Sequence, residues 1–416
     1  MYVRLKKNGE SAVIFWINNP FDNLPGEGRR PQRYSLLCRA LVKAGHEVVL
    51  WSSDFAHALK RPRRLPTVYD ADEGFQVRLI PTPHYEDNVG LRRAWSHFRY
   101  ARNWRNQAIE AVESGELKAP DLVLTSWPPI ETAAIARLFR RKWHCKVVVD
   151  IMDAWPENFY RLFPGSGWVQ KALAKFFLAP LHRAARKAYR KADAVTGVGL
   201  TYLDLAMKYG CKAPRHLCYH GIMRMNNGAF RYTLDESEAL RVIYVGNMGR
   251  SYDLLTVIRA VRSLAEAGEH IRLDLAGTGP KESLLRKEAR GCEAIRFYGY
   301  LSNEDMQQLL SDSDLAMVPM FPDSFVAVPY KLADYTAAGL PMVCCLTGET
   351  QRLIERYRAG TMYRAGDAED LRKVLLGYLH QRSRINQESL ASARIAREKF
   401  MMDSIYPDFV RFLADL

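Results

Sequence analysis

The feature that most restricts the fold of this chain is a rhythm that runs along it twice. Short apolar runs alternate with amphipathic stretches, the alternation lapses between Cys211 and Leu240, and then it resumes. The first series of runs is Ala12–Ile17, Glu47–Trp51, Gln76–Ile80, Leu122–Thr125, Lys146–Ile151 and Ala194–Gly197, with helical spacing at Arg33–Ala44, Trp95–Glu113 and Ile130–Arg141. The second is Arg241–Val245, Arg272–Leu275, Ala294–Tyr298, Leu315–Val318 and Pro341–Cys345. Its helical stretches are Leu254–Ala267, Glu282–Ala289, Asn303–Leu310, Tyr330–Ala338 and Ala368–Leu379. Strands that alternate with helices predict βαβ units and parallel sheets covered on both faces. The lapse, with Pro214, Gly221 and Gly228 and few periodic apolar positions, reads as a linker near 211–238.

At 416 residues the chain exceeds the roughly 250–300 at which a single core divides. The reading is therefore α/β, with two doubly wound Rossmann-like domains at 1–215 and 216–397. A last helix at 398–416, apolar at Phe400, Ile405, Phe409 and Phe412, suits a return onto the first domain. Open sheets of this kind bind ligands outside the carboxyl ends of their strands, so two facing each other across a cleft would share one.

Composition narrows the setting. No run of about 18 apolar residues suggests a membrane-spanning helix, and Ala12–Ile17 is too short for the core of a secretion signal. The seven cysteines (38, 145, 211, 218, 292, 344 and 345) are scattered, odd in number and without a Cys-x-x-Cys pair, which predicts free thiols, a reducing cytoplasm and no metal site. The net charge of +14 is concentrated. Residues 158–192 carry no acid but eight cations (Arg161, Lys171, Lys175, Arg183, Arg186, Lys187, Arg190, Lys191), and 91–105 interleaves five arginines with Trp95, Phe98, Tyr100 and Trp104. Such patterns fit nucleic acid, an anionic membrane surface or solvated helix faces. The run 167–191, with Trp168, Leu173, Phe176 and Phe177 among its cations, suits peripheral contact with an anionic membrane.

Four segments of the second half stand in a recognisable order: YVGNMGRSYDLLTVIRAV, LDLAGTGPKESLLRKEA, IRFYGYLSNEDMQQLLSDSDLAMVPM and VPYKLADYTAAGLPMVCC. The first half contributes LTSWPPIETAAIARLFRRKWHCKVVVDIMDAWPENFY and ADAVTGVGLTYLDLAMKYG. Together they resemble family-four glycosyltransferases of the GT-B fold, of the kind that builds bacterial polysaccharide and lipopolysaccharide. The resemblance spans roughly residues 12–400. It implies a retaining, metal-independent transferase that moves a sugar from a nucleotide donor, with uridine favoured, to a glycan or lipid-linked acceptor. It also implies no cofactor, no nucleic-acid partner, and a place in the cytoplasm or on the inner face of its membrane.

The chemistry of a diphosphate leaving group gives the matched residues their expected roles. Glycine turns at Gly246–Gly249 and Gly26–Gly28 let backbone N–H groups approach phosphate at a helix start. Gly28, Gly246, Asn247, Gly249 and Gly277 are the expected backbone contacts, and Tyr300 lies in the base-contacting loop. Arg250 and Lys331 would supply the positive charge that a metal supplies elsewhere. A helix starting near Pro329 sets Lys331 and Asp334 on one face, the first for phosphate and the second for ribose hydroxyls. Asp153 stands where many relatives place a histidine beside the transferred sugar; as a carboxylate it could orient a hydroxyl or cap a helix.

The sequence also departs from the family. Val326 stands where a glutamate is common, Asp334 replaces the second glutamate, Asn247 replaces an arginine, and Tyr252 and Asp253 occupy the place of a lysine. Two Asp-x-Asp stretches, Asp70–Asp72 and Asp312–Asp314, read as structural, and the histidines show no metal-ligand spacing. Alternative functions are a sugar-nucleotide epimerase of the same fold, a basic nucleic-acid-binding protein, and a transferase-like partner subunit without activity.

Overall fold

The computed structural model describes residues 12–88, 90–163, 167–226 and 238–416. Residues 1–11, and positions 227–237 of the expected linker with Gly228 among them, lie outside the described residues. The chain divides into two compact units, Met1–Gly221 with Ile405–Leu416, and Ile222–Ser404.

The first unit is built on β1 (Ile14–Asn18), β2 (Glu47–Ser53), β3 (Phe55–Ala56), β4 (Arg61–Pro62), β5 (Val68–Asp70), β6 (Gln76–Ile80), β7 (Leu122–Trp127), β8 (Lys146–Ile151), β9 (Ala194–Gly197) and β10 (Arg215–Leu217). Its main sheet runs β10-β9-β8-β7-β1-β2-β6-β5, with every pair parallel except β5–β6. Helices α1 (Arg33–Lys43), α2 (Leu91–Glu113), α3 (Thr132–Trp143), α4 (Trp168–Lys191) and α5 (Leu200–Lys208) make the crossovers. Strands covered on both faces need no polar alternation, and β1 accordingly buries Phe15, Trp16 and Ile17 in succession. Trp16 meets Trp51 edge-on at 5.2 Å and Phe139 at 5.9 Å. Burying a large apolar side chain of this kind contributes about 1.5–3 kcal/mol.

One fully buried ion pair crosses this core. The Arg33 guanidinium donates to both oxygens of Asp150, from Nε at 2.7 Å and from Nη2 at 2.8 Å, and from Nη1 to the Cys218 carbonyl at 2.6 Å. Asp150 also accepts from the Tyr34 hydroxyl at 2.8 Å and the Thr196 hydroxyl at 2.5 Å. Burial opposes its charge, but the Arg33 charge and these donors hold the Asp150 carboxyl below its ordinary value.

The second unit has the strands β11 (Leu240–Val245), β12 (Ile271–Ala276), β13 (Ile295–Gly299), β14 (Leu315–Val318), β15 (Met342–Cys344) and β16 (Gly360–Met362). They are all parallel, in the order β13-β12-β11-β14-β15-β16. Numbered within the unit this is 3-2-1-4-5-6, the doubly wound order of dinucleotide-binding sheets, and its direction reverses between β11 and β14. Helices α6 (Leu254–Glu266), α7 (Glu282–Glu288), α8 (Asn303–Ser311), α9 (Tyr330–Ala337), α10 (Glu349–Tyr357), α11 (Ala368–His380) and α12 (Ser383–Ile395) accompany it. Helix α6 buries Leu254, Val257, Ile258, Val261 and Leu264, one stripe at helical spacing, in a core with Leu371, Leu375 and Tyr378 of α11.

The last helix departs from its expected start at 398. Residues Ala396–Phe400 form a wide π turn and Met401 is extended, so α13 begins at Met402 and runs to Ala414. The break follows from pairing: Ile222 donates to the Phe400 carbonyl at 2.8 Å and accepts from Met402 N–H at 2.9 Å. From Ile405 onward the helix belongs to the first unit, where Phe409 stacks on His216 at 5.4 Å and the Tyr406 hydroxyl donates to the Arg33 carbonyl at 3.1 Å. All seven cysteines are free thiols.

Candidate functional site

In the second unit two loops meet backbone to backbone beyond the carboxyl ends of β11 and β12. Gly246 N–H donates to the Ala276 carbonyl, and Met248 N–H to that of Thr278, each at 2.9 Å. Glycine is required for this approach. A Cβ on Gly277 would stand 2.0 Å from the Gly246 carbonyl oxygen, and one on Gly279 would stand 2.6 Å from Met248 N. Gly246 itself has φ of 145°, and a Cβ there would reach 2.9 Å from the Lys331 amine. Two of the amides expected to face phosphate are thus spent on the neighbouring turn. Asn247 and Gly249 keep N–H groups without a backbone acceptor among the described residues. The loop also does not open α6 directly, because Arg250–Asp253 intervene and Asp253 is the N-cap.

Lys331 stands in the first turn of α9, after N-cap Pro329, and reaches over this loop. Its stem is half-buried, but its amine is shut off from water and has no hydrogen-bond acceptor. It lies 4.0 Å from the centre of the Tyr244 ring and 4.2 Å from that of Tyr252. The cage is fixed from outside: the Tyr244 hydroxyl donates to the Asn247 carbonyl at 2.6 Å, and Tyr335, one turn on from Lys331, accepts from Val245 N–H at 2.8 Å. Burial pushes the amine's pKa well below its ordinary value. Aromatic faces attract a cation but do not replace a counter-ion, so this site is built for an anion that arrives from outside. It sits where β11 and β14 diverge, the usual binding point of such a sheet.

The other expected residues of this unit are more open. Arg250 and Asn247 are exposed, Asp334 is half-buried on α9, and Tyr300 is 73% exposed after β13. Gly277 N–H donates to the Gly299 carbonyl at 2.6 Å, tying the Tyr300 loop to the glycine turn. Asp312 ends α8, and Asp314 accepts from Arg241 N–H at 2.8 Å, as befits a cap and strand start.

In the first unit Asp153 follows β8. Its carboxylate accepts from Ala154 N–H at 2.8 Å, from the Trp155 indole at 3.1 Å, and from Asn158. Burial raises its pKa against the pull of those bonds. Gly28, with φ of 64°, lies in an exposed turn that residues 29–32 separate from α1.

Around Asp153 gathers a group that the sequence did not single out. Arg93, from the start of α2, lies over the rings of Trp155 and Phe21 at 5.4 and 5.7 Å, and donates to His97 Nε2 at 3.3 Å and to the Asn88 carbonyl. The Lys60 amine donates to Asn88 Oδ1 at 2.6 Å and to His57 Nδ1 at 3.2 Å, and His57 Nδ1 also lies 2.7 Å from the Tyr85 hydroxyl. Burial, with the Lys60 and Arg93 charges, pushes His57 down to about 3; burial and Arg93 do the same to His97. The one sequence signal was Arg93 and His97 at i, i+4 inside the basic and aromatic block 91–105.

Two helix faces of this unit remain uncovered. Trp168 (81% exposed), Phe176 (75%), Phe177 and Leu173 project from α4, whose buried side is mainly alanine with Leu178 and Tyr189. Leu91 (89% exposed), Trp95 and Phe98 project from α2. Among the described residues no helix is long and apolar enough to cross a membrane, and no group of three or more His, Cys, Asp or Glu could hold a metal ion.

Comparison with known proteins agrees with this architecture. The family model described as "Glycosyl transferases group 1" matches residues 239–381, and that described as "Glycosyl transferase 4-like domain" matches 32–218. A putative colanic acid biosynthesis glycosyltransferase, WcaL of Escherichia coli (strain K12), is 24% identical over 242 residues, 56% of this chain and 58% of that one. The amylovoran biosynthesis glycosyltransferase AmsK of Erwinia amylovora is 24% identical over 145 residues, 33% of this chain and 36% of that one. The chain thus spans little more than half the length of the curated relatives it matches. Among solved structures, sucrose-phosphate synthase from Thermosynechococcus elongatus aligns with a TM-score of 0.70 at 12% identity, covering 96% of this chain and 98% of that one. Anabaena HepE in complex with UDP and glucose aligns at 0.64 with 13% identity, covering 97% and 100%. The lipopolysaccharide-biosynthesis glycosyltransferase WaaG aligns at 0.62 with 12% identity, covering 96% and 99%. With both doubly wound units matched in order, the chain belongs to the group 1 and 4-like glycosyltransferases and has the GT-B fold.

Proposed function

We propose that this chain transfers a sugar from a UDP-sugar to a glycan or lipid-linked acceptor in cell-surface polysaccharide assembly, with retention at the anomeric carbon and without a metal ion. The observation that carries the reading is the Lys331 amine, buried without an acceptor above two tyrosine rings and beside a glycine loop. A diphosphate supplies the missing anion, and the charge that grows on it as the glycosidic bond breaks is what such a cation stabilises. Exposed Arg250 adds a second positive charge from the same loop, the free Asn247 and Gly249 amides add donors, Asp334 receives the ribose hydroxyls, and Tyr300 meets the base. Asp153, whose raised pKa reflects burial, is the carboxyl group assigned to the transferred sugar. The names of the relatives, for colanic acid and amylovoran, support the polysaccharide setting, and the HepE complex supports uridine.

Replacing Lys331 or Asp334 by alanine should abolish transfer from UDP-sugars in a product-release assay, and wild-type turnover in both variants would sink the reading. Contact with an anionic membrane at the inner face belongs to the same proposal. The exposed aromatics of α4 stand among Lys171, Lys175 and Arg183, as an interfacial helix requires. Flotation with anionic liposomes at physiological salt tests it, and protein left at the bottom of the gradient refutes it.

A further inference from the structure

We propose that Arg93 and Lys60 form a second anion subsite, distinct from the Lys331 loop, which takes the phosphate-type group of an amphiphilic acceptor whose apolar tail lies over Leu91, Trp95 and Phe98. This rests on the glycosyltransferase reading above and adds the chemical class of the acceptor.

The argument starts from how cations are treated elsewhere in the unit. Arg39, Arg63 and Arg78 each find a carboxylate, on Glu73, Glu27 and Glu116 respectively. Arg93 and Lys60 do not, and among the described residues neither has a carboxylate within ion-pair distance. Instead they share Asn88, one through its carbonyl and the other through its side chain, and each donates to an imidazole. The imidazoles are neutral and so accept these bonds without adding charge. Two cations brought onto one asparagine repel each other, and the carboxylates that act on them, Asp87 on Lys60 and Asp153 on Arg93, do so only through space. Such an arrangement is stabilised by an anion that bridges the pair.

The position suits a ligand. Phe21 follows β1, Tyr85 and Asn88 follow β6, and Arg93 lies in the first turn of α2, so the group gathers at the carboxyl edge of the sheet. The first turn of α2 holds no acidic residue, which leaves the positive end of a 23-residue helix uncompensated. The guanidinium fork of Arg93 fits phosphate oxygens in pairs. Leu91, Trp95 and Phe98 recur at i, i+4 and i+7 on the same helix and are exposed; Trp95 and Phe98 stack at 5.7 Å, and Arg99 lies over Trp95. A charged head held at Arg93 would therefore have an apolar stripe beside it, as a phosphate ester of a long-chain alcohol requires.

Calorimetry on the full chain distinguishes the sources of such an anion. Dodecyl phosphate below its micellar concentration, inorganic phosphate and uncharged dodecyl maltoside are titrated into protein saturated with UDP. The proposal expects dodecyl phosphate to bind at least tenfold more tightly than either of the others. Arg93→Gln and Lys60→Gln should each weaken it tenfold or more, Leu91→Ser should weaken it less, and Lys331→Met should leave it unchanged. Equal binding of inorganic and dodecyl phosphate overturns the amphiphile, and binding indifferent to Arg93→Gln and Lys60→Gln overturns the subsite. UDP affinity is measured on the same variants. Loss of UDP binding in Lys331→Met with dodecyl phosphate retained separates the two sites, whereas wild-type protein that binds no UDP sinks the transferase reading and leaves this titration interpretable.

Discussion

Arg33 in the first unit and Lys331 in the second are both cations withdrawn from water, and they are treated in opposite ways. Arg33 meets a carboxylate with two parallel bonds, and a backbone carbonyl takes a further N–H. The Lys331 amine meets only the faces of two rings. A compensated buried charge holds a fold in register, while an uncompensated one costs stability and persists where a ligand completes it. The comparison separates a structural cation from a functional one more sharply than burial alone does.

The largest test breaks the compensated pair. Arg33→Met leaves Asp150 charged and alone, and should cost about 3–5 kcal/mol of unfolding free energy by urea denaturation. The loss should deepen the acid sensitivity of the fold. Asp150 is held below its ordinary value, so its contribution is present above that value and fades as pH falls through the depressed one.

Lys331→Met should do the reverse. The melting temperature of the unliganded protein should rise, while UDP affinity falls by about tenfold or more, a change of about 1.4 kcal/mol or larger. Because burial lowers the amine's pKa, the unfolded chain binds a proton that the folded one does not, and wild-type stability should climb with pH toward the ordinary lysine value. A diphosphate restores that proton. Calorimetry in buffers of different ionisation enthalpy should therefore report proton uptake on UDP binding to the wild type and none to Lys331→Met, with wild-type affinity weakening as pH rises. A melting temperature lowered by Lys331→Met would undo the contrast.

His57 and His97 supply a smaller test. Both are held neutral, so the stability they contribute is full above about pH 6.5 and fades as pH falls toward about 3, by at most about 1.4 kcal/mol per pH unit for each. Double replacement by glutamine should flatten that slope in melting curves recorded from pH 4 to 7. The smallest effect belongs to a solvated pair: Arg394 donates to Glu398 at 2.7 Å on an exposed face, and Arg394→Ala should leave the melting temperature unmoved.

Much of this architecture is legible in the sequence, because sheets covered on both faces write continuous apolar runs. The limits of β6, β8, β9 and β14 coincide with the apolar segments, and Pro329 marks the start of the helix that carries Lys331 and Asp334. The edge strands β10 and β16 are three residues long and leave no periodic trace. The need for Gly277 and Gly279 arises only when two distant turns touch. Likewise, Arg33 and Asp150 lie 117 positions apart, and Lys60 meets Arg93 only through the Asn88 loop. Pattern reveals which face of an element turns inward, but it does not reveal which inward groups converge. The acid inside KVVVDI was the one visible hint that a buried partner exists for Asp150.

The division of the chain has a further consequence for its biosynthesis. The second unit is one continuous stretch, Ile222–Ser404, whereas the first is assembled from both ends, Met1–Gly221 and Ile405–Leu416. On a translating ribosome the earlier-made half therefore waits for Tyr406 and Phe409, which cover Arg33 and His216, until after the later-made half has emerged. A stalled or clipped nascent chain lacking those residues would carry a finished nucleotide-side lobe and an unsealed partner, a state that quality-control proteases could recognise by its open flank.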